Sequence, residues 1–134
     1  MPYSGDWYIP LRVAETRFWG KVDSHDIDQH NEVCIRLLTE AQIHAPGRLI
    51  HMILDGSEIE SLPLLYLMFS RAAPVMRFKN RDIMFFVTQK STTRSIFELT
   101  AHVLNFRMRV FDTRAEALEA LEAVMLKEEI HSSS

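Results

Sequence analysis

Apolar residues in this chain recur with two different periods, and stretches of the two periods take turns from one end to the other. In "TRFWGKV" the side chains alternate, Arg17, Trp19 and Lys21 against Phe18, Gly20 and Val22, which is the two-residue period of a strand. Immediately afterwards Ile27, His30, Cys34, Leu37, Leu38 and Ala41 fall three or four apart, one face of a helix. Asp23 or Ser24 caps that helix, Asp26 and Asp28 complement its dipole, and Pro46 and Gly47 end it.

The alternation continues. Leu49 to Leu54 is a dense apolar run, the pattern of a strand covered on both faces. A helix is predicted from about Leu62, a strand over Met84 to Thr88, and a helix in "STTRSIFELTAHVLN" with Ile96, Leu99 and Val103 facing inward. "FRMRVF" reads as a strand. In "DTRAEALEALEAVMLKEE", Thr113 and Glu116 have capping-box spacing and Leu118, Leu121, Val124 and Met125 form an inward stripe. Ahead of all these, Trp7 to Val13 pairs with Thr16 to Val22 across a turn around Ala14 and Glu15. The resulting order, β-β-α-β-α-β-α-β-α, predicts an α/β sandwich on a mixed, mostly parallel sheet with an antiparallel pair at its start.

With 134 residues, the chain fits a single domain over 1–134, with a core at about 7–126 and a polar, frayed tail at 127–134. A formal charge of −3 gives no global attraction to nucleic acid or anionic membranes. No apolar run reaches the length of a membrane span, and "MPYSGDWYIP" lacks the basic and apolar regions of a secretory signal. The single cysteine, Cys34, excludes an internal disulfide and a cysteine-rich zinc site and suits a reducing cytoplasm.

The element order, together with the "RFWGKV" strand, the "LIHMILDGS" strand end and the closing "RVFDTRAEALEAL", resembles the SpoIIAA-like domains, relatives of the STAS domains (sulfate transporter and anti-sigma-factor antagonist), over roughly Trp7 to Met125. The resemblance implies a bacterial, non-enzymatic α/β module that docks a protein or holds a small ligand. STAS antagonists are switched by phosphorylation of a serine in Asp-Ser-Ser-Gly at the start of the helix after this strand. Here that region reads Glu60-Ser61-Leu62-Pro63, so the doublet and its glycine are missing and Ser61 is the nearest hydroxyl.

Open α/β sheets bind ligands at the carboxyl ends of their parallel strands, where loops and helix N-termini converge. Two loops qualify. Asp55-Gly56-Ser57 reads as a turn off the strand, with Gly56 allowing a positive φ and Asp55 and Ser57 available to a ligand or a kinase. In "TQKSTTRS", Lys90 and Arg94 flank Ser91, Thr92 and Thr93 at a helix start, a set that can hold a phosphate or carboxylate. The plainer reading makes Ser91 or Thr92 the N-cap and leaves both cations solvated.

The segment "SLPLLYLMFSRAAP" has no polar face over two turns, so Leu62, Leu65, Tyr66, Met68 and Phe69 are the candidate surface for a homodimer, the alternatives being a locally deep core or a ligand-pocket wall. Arg71, Arg77, Lys79 and Arg81 form a local basic run beside it, read as a solvated edge or a contact for an acidic partner. Asp26 and His30, or His25 and Asp28, can form a carboxylate–imidazole pair, but no complete metal-ligand set is present, and His30 and Cys34 read as buried. No acid–base pair or triad is visible, so neither enzyme activity nor a cofactor is expected. The reading is a self-associating module that binds a regulatory protein; the alternative is a carrier or sensor of a small apolar or anionic ligand.

Overall fold

The computed structural model describes residues 3–63, 71 and 73–133. Among the described residues, five strands form one sheet in the spatial order of the sequence: β1 (Tyr3–Ile9), β2 (Val13–Lys21), β3 (Ile50–Ser61), β4 (Arg81–Val87) and β5 (Met108–Phe111). β1 is antiparallel to β2, and every later neighbour is parallel. Among the described residues, the long helices that connect or close them are α1 (Ser24–His44), α2 (Ser91–Leu104) and α3 (Arg114–Ser133). Residues 73–76 are also helical. This is the mixed, mostly parallel α/β sheet that the two periods predict.

Strand alternation sorts the core into two layers. Ala14, Phe18, Met52, Leu54 and Phe86 point to the side covered by α1 and α2, where they meet Cys34, Leu38, Ile27 and Phe97. Val13, Ile53, Ile83, Phe85 and Val87 point to the opposite side and meet Ala117 and Leu121 of α3. Because β3 is flanked by parallel strands and covered on both faces, Ile50 to Leu54 are all buried, which explains the unbroken apolar run.

Local chemistry places the helix ends. Asp23 caps α1 through a full capping box: its carboxylate accepts from the Asp26 N–H at 2.9 Å, and Asp26 accepts from the Asp23 N–H at 2.9 Å. Thr113 accepts from the Glu116 N–H at 3.2 Å at the start of α3. The N-cap of α2 is Lys90, with no side-chain cap bond, rather than Ser91 or Thr92.

Several boundaries differ from the sequence reading. The first turn lies at Pro10–Arg12, ahead of Ala14 and Glu15: Pro10 ends the strand, Leu11 takes a φ of 60°, and the Arg12 N–H returns to the Ile9 carbonyl at 3.0 Å. Asp55-Gly56-Ser57 is not a turn, because β3 runs on to Ser61 with a bulge where the pairing steps from Arg17↔Asp55 to Trp19↔Glu58. Gly56 has no positive φ; it is required because a Cβ there would lie 2.6 Å from the Phe86 ring. α2 buries Thr93, Phe97, Thr100 and Ala101, whereas Leu99 and Val103 face solvent. The "EEIHSSS" end continues as α3 through Ser133 instead of fraying at 127.

Candidate functional site

The carboxyl end of β3 is tied to the start of α2 by Lys90. Its ammonium donates to the Glu60 carbonyl at 2.6 Å and to the Ile59 carbonyl at 3.4 Å, beside the exposed Ser61. The Lys90 N–H in turn donates to Thr88 Oγ1 at 3.2 Å. Ser91 and Thr92 are exposed at the helix start, while Thr93 is buried against the sheet. This corner therefore gathers Ser61, Lys90, Ser91 and Thr92, with one cation and the first amides of a helix that no side chain caps.

The other expected contacts lie apart from that corner. Ser57 donates both its N–H (3.0 Å) and its hydroxyl (2.6 Å) to Asp55 Oδ1, so the two residues satisfy each other within the bulge. Asp55 shares a polar pocket with Asp6, Glu15, Arg17 and Arg114, where Arg114 forms a bidentate pair with Glu15 at 2.7 and 3.0 Å. That pair raises the Arg114 pKa, the hydrogen bonds to Glu15 being the main cause. Arg94 pairs with Glu98 at 2.9 Å and faces a groove formed with Ala101, Phe106, Met108 and Val110 at the β5 edge. Among the expected interface residues, Leu62 is described and packs partly buried against the Phe18–Phe86 cluster; Leu65, Tyr66, Met68 and Phe69 lie outside the described residues.

An apolar cavity of about 70 Å³ lies between α1 and the sheet, lined by Phe18, Ile27, Met52, Leu54, Met84 and Phe97 among others. His30, Cys34 and Arg81 reach it. His30 lies against Phe18 with ring centres 4.3 Å apart, and burial depresses its pKa to about 4, so it is neutral. Burial pushes the Cys34 thiol up to about 12, which leaves it protonated and unreactive at neutral pH. Arg81 lends Nη2 to the Met76 carbonyl at 3.3 Å, its Nε is buried without a partner, and burial lowers its pKa. Lys90 and Arg94 do not line this cavity.

One cluster was not anticipated from the sequence. His51 of β3 is fully buried on the α3 side, with Nε2 2.6 Å from Glu128 Oε1 and Nδ1 3.7 Å from Asp82 Oδ2. The available signal was a histidine inside "LIHMIL", since a buried imidazole on a two-sided strand requires polar partners. Those partners come from the start of β4 and the last turns of α3, which no local pattern connects to His51.

Solved structures share this fold. An uncharacterised DUF3478-family protein with a SpoIIAA-like fold from Shewanella loihica PV-4 aligns with a TM-score of 0.58 at 16% identity, over 81% of this chain and 83% of its own. The Bacillus cell fate determinant SpoIIAA in its phosphorylated form aligns at 0.58 and 14% identity, over 89% and 98%. The unphosphorylated anti-sigma factor antagonist SpoIIAA aligns at 0.59 and 13% identity, over 92% and 97%. No protein-family model and no curated protein sequence matches the chain. The fold is thus SpoIIAA-like.

Proposed function

We propose that this chain is a non-enzymatic, cytoplasmic bacterial regulator that docks a protein partner and pairs with a second copy of itself. The observation that carries the docking half is on α2: Leu99 and Val103, one turn apart, are 44% and 52% exposed on the face turned away from the sheet. The likeness to an anti-sigma factor antagonist, a protein defined by its action on another, supports the same reading. Pairing rests on the apolar 62–69 segment, which has no charged residue to keep it in water.

Ser61 is the hydroxyl best placed for regulation. A phosphate on Ser57 would be added beside Asp55 and Glu58, where like charge opposes it. A phosphate on Ser61 would find the Lys90 ammonium and the uncapped start of α2, the helix that presents Leu99 and Val103. Proteins retained from source-cell extract by the wild type should be lost with a Leu99→Glu, Val103→Glu double variant and altered by Ser61→Asp. Identical retention by all three forms contradicts the docking surface. Light scattering tests self-association: Leu65→Glu and Phe69→Glu should give monomers, and a wild type that is monomeric at high concentration refutes pairing.

A small ligand is the second reading, favoured by the apolar cavity and by the Arg81 Nε beside it, which is buried without a hydrogen-bond partner. Size limits it. An engineered cavity of about 150 Å³ accepts benzene, so a space half as large has no room for a lipid chain. Native mass spectrometry that finds a bound small anion would establish this role; protein that is consistently empty, with no thermal shift against short carboxylates, counts against it.

A further inference from the structure

His51 has two ring nitrogens, one facing the nearly buried carboxylate of Asp82 and the other the half-exposed carboxylate of Glu128, and the two distances differ in kind. Nε2 and Glu128 Oε1 at 2.6 Å make a short hydrogen bond. In the neutral imidazole tautomer that this bond requires, the one N–H lies on Nε2. Nδ1 then presents a bare lone pair; it is buried, has no hydrogen-bond partner, and faces Asp82 Oδ2 at 3.7 Å. Two acceptors turned toward each other away from water repel unless a cation stands between them.

The gap is wrong for a proton, because an N–H···O bond spans about 2.7–3.2 Å. It suits an ion. Two ligand atoms each about 2.0–2.2 Å from one metal and 3.7 Å apart subtend roughly 120° at it, close to tetrahedral coordination. We propose that His51 Nδ1 and Asp82 Oδ2 bind a zinc-class divalent cation, with Glu128 as a positioning residue that holds the imidazole by its other nitrogen. His51, Asp82 and Glu128 offer ligand atoms within 4.8 Å of one another.

The surroundings fit a dication of this class. Imidazole nitrogen with carboxylate oxygen suits zinc better than calcium or magnesium, which prefer all-oxygen shells. Arg107 holds the other Asp82 oxygen at 2.9 Å and Arg12 lies 4.0 Å from Glu128 Oε2, so both acids are steadied from outside while Asp82 Oδ2 stays directed at His51. Water completes the shell. The bound ion clamps the starts of β3 and β4 together and, through Glu128, holds the end of α3 against them.

Calorimetric titration of the chelator-stripped full chain with zinc chloride tests the proposal. We expect saturable binding of one ion per chain, weakened at least about tenfold by Asp82→Asn, which keeps the side chain's shape, and about 10–100-fold by Glu128→Gln. Circular dichroism of both variants confirms that they fold. Nitrogen-15 NMR of the His51 ring supplies a readout that a structural role alone would not move: zinc should shift Nδ1 while Nε2 keeps its proton. Absence of saturable binding, or binding undiminished in both variants, overturns the site. So does a His51 ring protonated at both nitrogens and unchanged by zinc.

Discussion

Gly56 sits where a single methyl group would enter the face of Phe86. Its ideal Cβ lies 2.6 and 2.9 Å from two atoms of that ring, and Phe86 is fully buried and stacked on Phe97 with ring centres 4.1 Å apart. The ring has nowhere to go without displacing a second aromatic. Gly56→Ala should therefore destabilise the fold by about 1–3 kcal/mol, the usual cost of overpacking, measured by urea denaturation. His30 carries a different kind of constraint. Its pKa is about 4 in the folded chain and about 6.5 when unfolded, so between those values the unfolded chain binds more protons. Stability contributed by neutral His30 is complete above pH 6.5, falls as pH drops toward 4, and is gone below it, a loss of roughly 3 kcal/mol in all. Denaturation curves at pH 7 and pH 4.5 should show a smaller drop in a His30→Leu variant than in the wild type. The burial of His30 was readable from its place on an apolar stripe; the crowding at Gly56 was not, because Phe86 lies in another strand and only the assembled sheet brings the two together.

At the level of elements, α2 shows what spacing alone leaves open. Ile96, Leu99 and Val103 share one face and Thr93, Phe97, Thr100 and Ala101 another, and both sets have helical periodicity. Phe97 decides between them: its ring stacks on Phe86, and that contact turns the helix so the threonines go inward with it. Burial of Thr100 is tolerable because its hydroxyl donates to the Ile96 carbonyl at 2.7 Å, inside the helix. Phe97→Ala should cost about 3–5 kcal/mol, whereas Leu99→Ser should change stability by no more than about 0.5 kcal/mol, both read from thermal or urea unfolding. A large loss at Leu99 would mean that α2 is rotated from the position described. The length of β3 was hidden for a related reason. Past Leu54 the strand is polar, with Asp55, Ser57, Glu58 and Glu60, and it persists because β2 and a bulge continue the pairing, which is information held by the neighbour. By contrast, the apolar stripe of α1 was legible because it is local, and so was its start to within one residue, Asp23 or Ser24; the capping box with Asp26 decides for Asp23.

For the molecule as a whole, one sheet serves two cores, and this determines how the chain comes apart. Leu38 of α1 is buried on one face and Leu121 of α3 on the other, and neither touches the other's cluster. Stacked layers stand about 10 Å apart, so the two leucines are separated by roughly two such spacings. Each leucine→alanine change should cost about 2–5 kcal/mol. Their sites are too distant to share partners, so the double variant should lose the sum of the two within about 0.5 kcal/mol. Additivity does not imply two independent units. Ile53 and Leu54 are neighbours on β3 that feed opposite cores, so neither layer can release its side chains without breaking the strand that holds the other. Denaturation followed by the aromatic signal of Trp7 and Trp19, on the first two strands, should coincide with loss of helix signal in the wild type and in both single variants. Two separate transitions, with only one of them moved by Leu121→Ala, would mean that α3 detaches on its own. That outcome would also locate the His51–Glu128 contact on the more labile side, since it is one of the bonds, with Arg12–Glu129, that hold the end of α3.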